Sequence, residues 1–75
     1  MPHVIVKIWP GPSEAQKRML SKKIVQDVID AIDSADESIS VDIVEVEPGD
    51  WKDEVYRPEI APRLARLYKK PGYKM

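Results

Sequence analysis

The 75 residues carry 12 Lys and Arg against 13 Asp and Glu, a net charge of −1, and that balance excludes a nucleic-acid binder driven by bulk charge. The length fits one small domain over residues 1–75, and a domain this small leaves so much surface exposed that self-association is expected. With no cysteine, no apolar run near the ~20 residues of a membrane helix and no basic-then-apolar leader, the sequence reads as a soluble, cytoplasmic protein without disulfides or thiol chemistry.

Alternation from His3 to Trp9 predicts a first strand over 3–9, with Val4, Val6 and Ile8 on one face and His3, Ile5, Lys7 and Trp9 on the other. Pro10, Gly11 and Pro12 stop it, since the prolines lack an amide hydrogen and glycine permits a sharp reversal. Ser13 then caps a helix over 14–32. Gln16 completes a Ser-x-x-Gln capping box, and Glu14 suits the positive end of the helix dipole. The apolar members Leu20, Ile24, Val25, Val28, Ile29, Ala31 and Ile32 spread over about half the circumference. One side can cover a sheet and another a partner.

After the polar stretch Asp33 to Ser38, residues 39–46 form a second strand. Ile39, Val41 and Ile43 share one parity and Val44 and Val46 the other, which implies a bulge or burial on both faces. Strands joined by a helix this long run parallel through a right-handed crossover. Two strands do not finish a core, and a second copy of the chain is the simplest supplier of more. The fold class is therefore α/β (α+β): a β-α-β unit whose sheet is completed by dimerisation.

A helical tail follows over 51–70. Pro48 and Gly49 turn the chain, and Asp50 caps a short helix holding Trp51, Val55 and Tyr56. Pro58 and Pro62 argue against one continuous helix; a second begins at Pro62, where Ile60, Leu64, Leu67 and Tyr68 make an apolar stripe, and Pro71-Gly72 ends it. Gly72 to Met75 read as a loose end.

Few residues offer chemistry. His3 is the single histidine, and nothing around Ser13, Ser21 or Ser34 resembles a nucleophile turn, so a Ser/His/Asp triad fails on supply. A metal lacks an i, i+4 ligand pair, and Gly11, Gly49 and Gly72 are too isolated to cradle a phosphate. Pro2 is the exception. Loss of Met1 would expose its secondary amine, a group no side chain supplies. An α-amine titrates near ~7.7–8.0 and proline's starts more basic; in an apolar, cation-lined pocket it would fall toward neutrality and serve as a general base. The plainer reading is that a proline here only promotes methionine removal.

Pro2 opening a strand, Gly11 ending it, Ser13-Glu14-Ala15-Gln16-Lys17 opening a helix and Ser38-Ile39 opening a second strand resemble the 4-oxalocrotonate tautomerase family. Glu59-Ile60-Ala61-Pro62 and Lys69-Lys70-Pro71-Gly72-Tyr73 resemble the tail of its dimeric bacterial branch, whose members act on phenylpyruvate-like enols. The resemblance implies a tautomerase-type β-α-β fold in which two subunits merge their strands into a four-stranded sheet with helices on one face. It implies a keto–enol tautomerase that needs no cofactor and acts on a small, aromatic 2-oxo acid. Pro2 nitrogen would take the proton from the 2-hydroxyl of the enol and return it to C3.

Hexameric members of that family add two arginines, and Pro12 and Ser40 stand at those positions here. A dicarboxylate substrate would lack its bidentate partner. Trp51 aligns with a family phenylalanine and would wall the substrate pocket, the plainer alternative being a core or interface anchor. Arg57, Lys7 and His3 are candidate donors to a substrate carboxylate, set against the alternative of solvated surface charge. Ile5 and Trp9, on the face of His3, line a pocket or, more simply, pack the sheet. Two further functions fit the sequence: a non-catalytic oligomeric scaffold or binding relative, and a dehalogenase- or hydratase-like activity on a small unsaturated acid. The missing arginines disfavour the last, because that chemistry also needs polarised carboxylate binding.

Overall fold

In the computed structural model, which describes Met1–Met75, the β-branched segments form strands β1 (His3–Ile8) and β2 (Ser40–Glu45). They pair in parallel, in unbroken register from His3 opposite Ser40 to Ile8 opposite Glu45. Both are shorter than the alternation predicts: Trp9 falls outside β1, where Pro10 removes the next amide, and Ile39 and Val46 fall outside β2. The regular register leaves no bulge. Ile43 and Val44 are instead both half-buried, so the change of parity reflects partial cover on both faces.

Helix α1 (Glu14–Ile32) starts on the capping box read from the sequence. Gln16 N–H donates to Ser13 Oγ at 3.1 Å and Ser13 N–H to Gln16 Oε1 at 2.7 Å, satisfying two amides that the helix itself cannot. Before it, Gly11 takes φ 142°, a conformation closed to residues with a Cβ. At the other end Asp33 adopts the left-handed conformation (φ 58°, ψ 40°) and donates its N–H to Ile29 O at 3.1 Å. Its short polar side chain makes it one of the few non-glycine residues suited to that cap.

The half-buried side of α1 consists of Lys17, Ser21, Ile24, Val25, Val28 and Ile29. Leu20, Ala31 and Ile32 are exposed, so the covered stripe is narrower than the apolar spread of the sequence. Lys17 ties this side to the sheet, with Nζ 3.0 Å from Glu45 Oε2 and 3.3 Å from Glu14 Oε1. The hydrogen bond to Glu45 raises the Lys17 pKa above its ordinary 10.5; partial burial opposes the rise and Glu14 adds to it. Val41 and Ile43 lie against this side of the helix, beside Glu14, Lys17, Arg18 and Ser21. The opposite sheet face, which pairs His3 with Ser40, Ile5 with Asp42 and Lys7 with Val44, keeps Ile5 52% exposed. A short 3-10 turn, Asp36–Ser38, leads from α1 into β2.

Met1–Glu45 forms one compact unit and Val46–Met75 a second. In the second, a 3-10 turn (Pro48–Asp50) precedes a π-helical segment (Lys52–Ile60) and a 3-10 segment (Ala61–Arg66). The tail is not one continuous helix, and Pro62 stands in the first turn of its second segment, as the sequence predicts; Pro58, however, does not interrupt the first. Wider winding accommodates the proline ring, which in an α-helix would strike the carbonyl four residues back; here the closing bond runs from Ala61 N–H to Tyr56 O. The apolar stripe expected after Pro62 is likewise corrected. Leu64 and Tyr68 are exposed, because 3-10 winding ends at Arg66 and Leu67 is already extended. The buried residues are Val46, Val55 and Tyr56, all in this unit.

Candidate active site

Pro2 sits one residue ahead of β1 and is half-buried, while Met1 before it is completely exposed. Its carbonyl accepts a hydrogen bond from Ser40 N–H at 3.2 Å, which carries the β1–β2 pairing one step beyond the ladder. With Met1 attached, the Pro2 nitrogen is an amide without a free lone pair. Cleavage of that exposed residue turns it into a secondary amine at the head of a strand.

Ser40 also holds the neighbour of Pro2. Its Oγ lies 2.6 Å from His3 Nδ1, a short hydrogen bond between residues that the register sets directly opposite one another. Periodicity assigns His3 and Ser40 each to a strand but gives no register between strands, so their pairing is not readable from the sequence. Pro12 is exposed in the turn after Gly11, Trp9 is 54% exposed beyond the end of β1, and Lys7 is half-buried on the face of Ile5.

Trp51 belongs to the second unit and is half-buried there. Its Nε1–H donates to the Tyr73 hydroxyl at 3.1 Å, and the Tyr73 ring stands 5.9 Å from that of Tyr56 at 43°. The chain end expected to be loose is therefore anchored at Tyr73 by one hydrogen bond and one tilted aromatic contact. Arg57, offered by chemistry as a carboxylate donor, pairs with Asp53 at 3.2 Å on an exposed turn of the π-helical segment. That pair is an ordinary solvated one.

Comparison with known proteins adds the decisive observation. A family model described as tautomerase enzyme matches residues 2–56, beginning at Pro2 and taking in both Ser40 and Trp51. This chain belongs to the tautomerase family. Tautomerase PptA of Cronobacter sakazakii is 43% identical over 76 residues, covering all of both chains, and that of Pectobacterium carotovorum is 43% identical over 74 residues, 97% of each. Among solved structures, the chain resembles that of YwhB, a homologue of 4-oxalocrotonate tautomerase. That match has a TM-score of 0.60 and 35% identity, and covers 61% of this chain and 75% of the other. The β-α-β arrangement with parallel strands and short C-terminal helices is the architecture expected of the family, and the chain is an isomerase of the tautomerase type. No helix in this tautomerase is long and apolar enough to cross a membrane.

Proposed function

We propose that this tautomerase, freed of Met1, interconverts the keto and enol forms of small aromatic 2-oxo acids such as phenylpyruvate, with the Pro2 amine as general acid and base. The observation that carries the reading is the place of Pro2: behind a single exposed residue, at the head of β1, with its carbonyl bonded to β2. In the ketonising direction the neutral amine takes the proton of the enol hydroxyl. The O–H electrons form the carbonyl, the C2–C3 π electrons move to C3, and the prolyl ammonium returns the proton there. Every atom and electron pair stays within substrate and amine, so the step calls for no cofactor.

The amine must be neutral at working pH to take the proton. Trp51 supports the choice of an aromatic substrate. Because Tyr73 already accepts its N–H, the indole can meet an apolar ring without leaving a buried donor unpaired. The assembly we assign is a homodimer. Each strand of a two-stranded sheet keeps an open edge, and no residue of Met1–Glu45 is fully buried, so a second copy offers both missing strands and missing cover.

Ultraviolet-followed ketonisation of phenylenolpyruvate by Met1-processed protein tests the reading, with Pro2→Ala, which leaves only a primary amine, run beside it. Wild type should far exceed buffer and the variant should lose at least ~100-fold, the usual weight of a positioned acid–base group. A wild type no faster than buffer, or a variant as fast as wild type, overturns it. Light scattering should give the mass of two chains.

A further inference from the structure

We infer that Ser40 and His3 are positioning residues that aim the Pro2 amine, an inference that rests on the acid–base reading of Pro2. Once Met1 is gone, Pro2 has no residue ahead of it, and terminal residues fray unless something ties them down. The direction of its nitrogen then depends on rotation about the Pro2 Cα–C bond, measured against the peptide plane that Pro2 shares with His3. Ser40 holds that plane and the residue that follows it, so that this one rotation is all that is left to the nitrogen. Its backbone N–H holds the Pro2 carbonyl at 3.2 Å, and its hydroxyl holds the His3 ring at 2.6 Å.

The location gives the grip its importance. The ladder begins at the His3–Ser40 pair, and beyond it only the bond from Ser40 N–H to the Pro2 carbonyl resists opening of the end of β1. Both side chains are exposed and their bond competes with water, so its net contribution to overall stability is small. Its effect on catalysis is larger, because displacing a reacting atom by about 1 Å can cost ~100-fold in rate. A hydrogen bond that does little for the fold can therefore matter for turnover.

The experiment is a double-mutant cycle on Met1-processed protein, verified by intact mass, with phenylenolpyruvate as substrate and Pro2→Ala as the reference. Ser40→Ala keeps the backbone bond to Pro2 and removes the hydroxyl. It should lower kcat about tenfold with little change in KM and in melting temperature, and Ser40→Thr, which restores the hydroxyl on a strand-compatible side chain, should recover most of the rate. His3→Ala should match Ser40→Ala, and the double variant should be no worse than either single one.

Wild-type kcat in Ser40→Ala overturns the inference. So does a loss confined to KM, which would make Ser40 a substrate contact, and so do losses that add in the double variant. Should Ser40→Ala melt below the assay temperature, His3→Ala, which leaves β2 untouched, decides by the same criteria. Pro2→Ala separates the two levels: a slow Pro2→Ala beside an unaffected Ser40→Ala sinks the clamp alone, whereas a fast Pro2→Ala sinks the acid–base reading beneath it.

Discussion

Met1–Glu45 and Val46–Met75 solve opposite halves of the folding problem. The first has regular elements, a parallel ladder, a capped helix of 19 residues and a cross-linking lysine, yet none of its side chains is fully buried. The second has almost no regular backbone, only 3-10 and π winding, yet it holds the three buried residues, Val46, Val55 and Tyr56. Hydrogen-bonded order and burial are thus separate contributions, and a short chain can place them in different segments. The unit with order but no buried interior is the one that carries Pro2, and it is the one that stands to gain from a second copy.

Substitutions can break this contrast. Tyr56→Ala should cost about 3 kcal/mol, as loss of a buried aromatic does, whereas Val25→Ala on the half-covered side of α1 should cost about 1 kcal/mol. Denaturant midpoints measure both, and equal losses would erase the distinction drawn between the units. Gly11→Ala comes next. An added Cβ would meet nothing within 4 Å, so the whole effect, on the order of 1–2 kcal/mol, should come from the backbone at φ 142°; a neutral substitution would show that the turn relaxes. Ser13→Ala should cost about 1 kcal/mol through the lost cap, read as a lower melting temperature with an unchanged circular dichroism spectrum.

The smallest effect is one of pH. The folded state raises the Lys17 pKa above 10.5, so it favours the charged form; the stabilisation is complete below that value and disappears as pH rises through the higher folded-state value. The difference in melting temperature between wild type and Lys17→Met should therefore narrow above pH 10.5. A constant difference would mean that the lysine stem, and not its charge, joins α1 to β2.

The same contrast governs what could be read in advance. Helix α1 is legible to the residue at both ends because Ser13, Gln16 and the polar run at Asp33 act locally, within one turn of the positions they decide. Both strands are legible apart from one or two end residues, because proline and alternation also act locally. The tail was legible in part: Pro62 opens its second segment as expected, but whether Pro58 breaks a helix or widens it depends on the backbone around it. Pro2 could be proposed from its chemistry joined to the family resemblance. Its link to Ser40 could not, nor could that of Ser40 to His3 or of Trp51 to Tyr73, because these bonds span 38, 37 and 22 positions and follow from register and chain reversal that no local pattern encodes.

In the proposed mechanism the Pro2 nitrogen must be a free amine for turnover. The most direct measurement compares two samples of the same sequence, one processed and one made with methionine aminopeptidase inhibited so that Met1 is retained, each verified by intact mass and by circular dichroism. If the Pro2 amine carries the proton, the two samples share a spectrum and only the processed one ketonises phenylenolpyruvate faster than buffer. Equal, rapid ketonisation by both would contradict this mechanism, because an acylated proline nitrogen cannot carry the proton.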